Sequence, residues 1–150
     1  MKSLWIDSDA ESFSGSDLDM RVYTSRLLGS NENLVMHGGG NTSVKSKMND
    51  FFGNEVEVLL VKGSGWDLKT IEKPGFPALR LAETQRLAEL ETLSDTDMAS
   101  QLRFNMLDQA APAPSVEAIL HAIIPTKFVD HSHADAVLVA PATRNRGARG

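Results

Sequence analysis

The spacing of apolar positions divides this chain into short elements. Ser16 followed by Asp19 has the form of a capping box. Leu18, Val22, Leu27 and Leu28 lay a loose apolar stripe behind it, and Gly29 is the expected stop. Leu34 to Met36 reads as a short strand, HGGG interrupts it, and a second strand runs through Val44. EVEVLLV, Glu55 to Val61, alternates in its first half and is solidly apolar in its second. That pattern suits a strand with one end buried on both faces. Two prolines restrict Phe76 to Leu81 to an edge strand or an extended segment. Gln85 to Leu93 reads as helical, and Ser94 with Asp97 restarts a helix through Leu107, which APAP ends. Ser115 caps the clearest helix: Val116, Ile119, Leu120, Ile123 and Ile124 follow helical spacing until Pro125. Phe128 to His133 reads as a strand and Asp135 to Ala140 as a helix start. The irregular alternation predicts a layered α/β domain with hairpins in its sheet. The first 15 residues carry no such pattern and are expected to pack late or fray.

Composition narrows the chemistry. At 150 residues the chain fits one domain with a real core. A net charge of −5 with no basic stripe argues against nucleic acid or an anionic membrane as partner. There are no cysteines, so any metal must be held by His, Asp or Glu. The N-terminus lacks the apolar core of a signal peptide, and no run approaches the roughly 20 residues that span a bilayer, so the cytoplasm is the expected compartment.

Four stretches carry candidate chemistry. His131 and His133 stand at i and i+2, so on a strand both rings share one face and can bite one ion. The plain alternative is two polar residues at a strand end. Asp130 and Asp135 either orient those rings or cap the next helix. Glu117 reads as a helix-dipole partner, or as a functional carboxylate if the chain returns the histidines to it; His121, four residues on, reads as a solvated surface contact. HGGGNTS makes either a tight turn or an approach of backbone N–H groups to an anion. KGSG, Lys62 to Gly65, offers the same choice. Neither loop matches the familiar nucleotide fingerprints. With Ser115, they make three places that could meet one phosphate.

Taken together and in order, GGGNTS, VKGSG, PSVEAILHA and VDHSHADAV resemble the class II aldolase/adducin family. LWIDSDA and SRLLGS sharpen the likeness to the aldolase half of bifunctional rhamnulose-1-phosphate aldolase/alcohol dehydrogenases. The resemblance implies a three-layer α/β/α fold with a mixed, mostly antiparallel sheet, partial here over residues 16–140. Residues 1–15 would form an N-terminal extension and 141–150 a tail outside the family pattern. It implies a divalent metal, commonly Zn²⁺, on His131 and His133, and an acid/base role for Glu117. It also implies a phosphate pocket from Asn41, Ser64, Gly65 and Ser115. The metal would polarise a ketose carbonyl and stabilise the enediolate of dihydroxyacetone phosphate. The expected reaction is reversible cleavage of rhamnulose 1-phosphate to dihydroxyacetone phosphate and lactaldehyde. A homo-oligomer, commonly a tetramer, is the family's habit.

This sequence departs from the family in two places. Val116 stands where simpler members carry a second serine. Members also run on to a third histidine downstream, whereas here PATRNRGARG is basic and non-periodic and His37 and His121 lie upstream. The expectation is a truncated or frame-shifted product without the dehydrogenase half or its nicotinamide cofactor. Weakened metal binding and impaired activity would follow, since catalytic zinc normally takes three protein ligands. A sugar-phosphate epimerase or dehydratase, and a non-catalytic adducin-like module, are the rival readings.

Overall fold

The alternating half of Glu55–Val61 and the run before it settle the sheet. The computed structural model describes residues 2–36 and 38–134. Its central hairpin joins β1 (Asn41–Asn49) to β2 (Glu55–Val61), with Ser43 opposite Val61 and Asn49 opposite Glu55. β3 (Ala78–Arg80) adds to β2, and β4 (Phe128–His131) adds to β1, giving the order β3-β2-β1-β4. All three pairings are antiparallel, so among the described residues the sheet has no parallel pair and is not mixed. The proline-flanked strand is at an edge, as expected. β1 is longer than expected, and residues 34–36 form no strand but a turn and its exit.

Because strand side chains alternate, each strand feeds two cores. Val44, Val58 and Leu60 face α2 (Asp17–Gly29) and pack with Val22, Ile71 and Phe76. Leu59, Val61 and Leu79 face the other way. They pack with Leu81, Leu102, Met106, Ala118 and Ala122 from α3 (Leu81–Arg86), α4 (Asp95–Phe104), its exit, and α5 (Ala118–Ile123). Helices therefore cover both faces, and the three-layer α/β/α arrangement is observed.

The helix caps follow the sequence. The Ser16 hydroxyl accepts the Asp19 N–H, and Ser94 accepts that of Asp97. Gly29 is the last residue of α2, and Ser30 caps it. The helix expected over 85–93 begins four residues earlier, at Leu81, and ends in a 3₁₀ turn at Glu89. The first described residues are packed: α1 (Asp7–Glu11) follows a segment tied to α2. Tyr23 takes the Ile6 N–H and donates to its carbonyl, while Trp5 and Phe13 pack on the Tyr23 ring.

The largest correction concerns α5. Only part of its apolar stripe faces the core: Ile119 packs against it, whereas Val116, Leu120 and Ile123 are about half exposed. The buried face is Ala118, His121 and Ala122. Two alanines let the helix sit close to the sheet, and polar bonds from β1 do the rest. Helix expectations over 135–140, the tail at 141–150 and His37 lie outside the described residues.

Arg21 locks β4 in place. It is 1% exposed and sits on the α2 side of the sheet. Its Nε donates to Ser25 Oγ, its Nη1 to the carbonyls of Ser43 and Val129, and its Nη2 pairs with Asp130 at 2.7 Å. Asp130 thus points away from His131 and orients no imidazole. Arg21→Met should cost roughly 2–4 kcal/mol, because it leaves buried acceptors unpaired. Urea denaturation measures this, and a loss under about 0.5 kcal/mol would contradict the assignment.

Candidate metal and phosphate site

Asn41 opens β1 directly opposite His131 on β4, so both side chains rise on the α5 face. Glu117 ends the turn before α5 and meets them. Its Oε2 accepts from Asn41 Nδ2 at 3.2 Å and lies 2.9 Å from His131 Nδ1. The sequence left open whether chain return brings Glu117 to the histidines; it brings Glu117 to His131, while His133 lines the same cleft as Glu117 without joining the cluster of donor atoms. His133 follows two residues on, with its ring centroid 4.8 Å from that of His131. Its N–H is held by the Leu34 carbonyl.

His121 joins this cluster, against expectation. It is wholly buried, not a solvated surface contact. Its Nδ1 lies 2.7 Å from Ser43 Oγ, and its Nε2 has no hydrogen-bond partner among the described residues. Donor atoms of Glu117, His121 and His131 all lie within 4.8 Å of one another. The clue in the sequence was the i, i+4 spacing of Glu117 and His121, but its burial depended on which helix face turned inward.

Two loops close the other side. Gly40 has φ +74°, and a Cβ there would press on Val35 at 2.5 Å and the His131 carbonyl at 3.1 Å, so only glycine lets the chain enter β1 beside His131. Lys62–Ser64 runs against residues 113–115: Ser64 N–H donates to the Ala113 carbonyl and Ser115 N–H to that of Lys62. This pairing sets Ser64 and Ser115 on one cleft of about 410 Å³ with the glycine loop, Asn41, Lys62, Glu117 and His133. Gly65 follows at φ +82°, turning the chain away; it does not line the cleft. Ser115 does not cap α5 directly. Its hydroxyl accepts the Glu117 N–H at 3.2 Å, one turn before the helix. Val116 lines the cleft with its side chain exposed. Hollows of similar size elsewhere carry no imidazole.

The cleft carries charges of both signs. The Gly63 and Ser64 N–H groups are already spent on the carbonyls of Gly75 and Ala113. The side chains of Ser64 and Ser115 and the ammonium of Lys62 line the same cleft and offer it donors. The sequence flagged Lys62 only as a neighbour. It is buried, and burial lowers its pKa against the opposing charges of Asp67 and Glu117. Burial raises the Glu117 carboxyl, but the His131 bond and charge and the Asn41 bond outweigh it, leaving the group below its usual value.

The donor set fits a divalent ion. Imidazole with carboxylate suits zinc and its neighbours, and no sulfur is needed. His131 and His133 offer rings side by side, Glu117 a carboxylate, and His121 a buried nitrogen without a partner.

With this geometry in place the comparisons are direct. The profile of the class II aldolase and adducin N-terminal domain matches residues 20–148. The chain belongs to that family. It is 43% identical to the N-terminal class II aldolase domain of a conserved protein from Thermoplasma acidophilum, with a TM-score of 0.87 over 93% of this chain and 63% of that one. It is 40% identical over 138 residues to a Bacillus subtilis (strain 168) protein named uncharacterized oxidoreductase YuxG. That alignment covers 92% of this chain but only 20% of the relative's length. Among the described residues no helix is long and apolar enough to cross a membrane.

His121 also gives a pH prediction for the metal-free protein. Burial pushes its pKa from 6.5 to about 4. An unfolded chain therefore binds this proton before the folded one does, and stability falls as pH drops from 6.5 towards 4. The full loss from this group is about 3 kcal/mol. Glu117, held low, adds its loss only at more acid pH. Urea titrations in chelator across this range should show the slope, and His121→Leu should flatten it. An equal slope in both proteins would remove His121 as its source.

Proposed function

We propose that this chain is a metal-dependent aldolase domain that cleaves a ketose 1-phosphate, with rhamnulose 1-phosphate as the favoured substrate. The products are dihydroxyacetone phosphate and lactaldehyde. The observation that carries this reading is one cleft lined by Lys62, Ser64, Ser115, Glu117 and His133, whose Glu117 also joins the donor cluster with His121 and His131 beside it. His131 and His133 are the proposed holders of a divalent ion, zinc by donor chemistry. When bound, it supplies Lewis-acid polarisation of the substrate carbonyl.

The remaining work falls to side chains. Lys62, Ser64 and Ser115 grip the phosphate, with Asn41 at the junction between that end and Glu117. Gly65 serves by turning the chain after Ser64. Breaking the C3–C4 bond leaves the electron pair on the dihydroxyacetone phosphate fragment, and that carbon must gain a proton. The C4 hydroxyl gives up its proton as the lactaldehyde carbonyl forms; Glu117, anionic at rest, takes up a proton and delivers it at C3, and in the synthetic direction removes it. Its hydrogen bonds from Asn41 and His131 keep it anionic and aimed between the reacting carbon and the histidines.

The word oxidoreductase names the whole B. subtilis relative, of which this chain matches a fifth. The proposed chemistry needs no nicotinamide cofactor.

Proton exchange tests the proposal without the aldehyde partner. The chain with Zn²⁺ and dihydroxyacetone phosphate in D₂O should replace one hydroxymethyl proton with deuterium, read by NMR. Glu117→Gln should lower the rate by about 10²-fold or more. Lys62→Met should mainly raise KM, on the order of tenfold. Exchange at the wild-type rate in Glu117→Gln would contradict the assignment. Trapping lactaldehyde from rhamnulose 1-phosphate then tests the substrate, and exchange without cleavage would favour an epimerase or dehydratase. A chain that neither binds zinc nor exchanges would favour the adducin-like module.

A further inference from the structure

His121 is buried among the donor atoms of the candidate site, and the proposed reaction, which rests the ion on His131 and His133, assigns it no step. A buried imidazole with an unpartnered nitrogen costs stability. Its surroundings indicate what it contributes.

Asn41 and Ser43 stand two apart on β1 and share a face. Glu117 and His121 stand four apart at the start of α5 and also share a face. The two spacings match, at about 6–7 Å each. Asn41 meets Glu117 and Ser43 meets His121, so strand and helix are joined by two parallel polar rungs. The second rung is the more rigid. Its bond is 2.7 Å between two wholly buried side chains, whereas the first is 3.2 Å and Glu117 is partly exposed. The His121 N–H donates to the Glu117 carbonyl, which ties the ring's backbone to the carboxylate's.

We infer that Ser43 and His121 form a positioning pair that fixes where Glu117 presents its carboxylate. This rests on the proposed aldolase reading for the role of Glu117, although the positioning itself can be measured separately. Shape alone would be met by leucine at 121, and burial alone by any apolar residue. A hydrogen bond at the imidazole Nδ1 position is different, because an asparagine amide can place a polar atom there. The pair therefore makes a claim that leucine and asparagine separate.

Four proteins carry the test: wild type, Ser43→Ala, His121→Leu and His121→Asn. Zn²⁺-loaded protein, its zinc content measured for every variant so that a lost ligand is told from a lost positioning contact, is assayed for dihydroxyacetone phosphate exchange in D₂O, and amide hydrogen exchange is followed at Ala118, whose N–H bonds the Ser115 carbonyl beside Glu117. In Ser43→Ala and His121→Leu, kcat should fall about 10- to 100-fold with KM within about threefold. Ala118 protection should drop about tenfold in the same two variants. His121→Asn should recover most of both. Unchanged kcat and unchanged protection in Ser43→Ala and His121→Leu would overturn the inference. So would equal losses in kcat and substrate affinity without rescue by asparagine, since that pattern marks general disruption. If wild type exchanges no substrate proton, the functional reading fails, and Ala118 protection alone decides the positioning.

Discussion

Everything at the site depends on a polar seam between β1 and α5. Three alternate residues of the strand grip successive parts of the helix. Asn41 bonds Glu117 at its start, Ser43 bonds His121 in its middle, and Lys45 bonds the carbonyls of His121, Ile124 and Thr126 at its end. Four strand residues advance about 13 Å and seven helical ones about 10 Å, so one strand face can serve one short helix from end to end. A six-residue helix is marginal on its own. Here tertiary bonds hold it, which explains how its apolar side can be left half exposed.

The seam converts fold into site because β1 is also the strand that β4 joins. The register that sets Asn41 opposite His131 delivers an imidazole to the carboxylate that Asn41 already holds. Arg21 secures that register from the far face, through carbonyls of β1 and β4 and the carboxylate of Asp130. The phosphate side is built differently. Two irregular segments, 62–64 and 113–115, pair by backbone alone and bring two serines and a buried lysine together. Paired strands thus fix Asn41 and His131 around Glu117 at the proposed metal end, and loops carry the residues of the proposed phosphate end.

Much of this was legible in the sequence. Both serine caps follow from spacing, and so does β2, because their physics is local. The ordered set of motifs gave the family. What failed was non-local. The stripe of Val116, Leu120 and Ile123 is a sound helical signal, yet two alanines and a histidine took the inward face, the alanines packing on the core and the histidine bonding Ser43 of β1. Spacing also favoured a surface role for His121, since burial of an imidazole depends on a serine 78 residues away. Leu34–Met36 looked like a strand, but the glycines after it turn the chain into β1 instead of pairing with it. The first residues carry too little periodicity to show that Tyr23 would hold them.

The central claim is that one cleft holds a metal on imidazoles at one end and a phosphate on Lys62, Ser64 and Ser115 at the other, with Glu117 between. Diffraction at the zinc absorption edge, from crystals grown with Zn²⁺ and dihydroxyacetone phosphate, tests it most directly. The account predicts an anomalous peak within bonding distance of His131 and His133, and phosphate density against the lysine and the two serines. A zinc peak away from both histidines, or a phosphate bound outside this cleft, would contradict it.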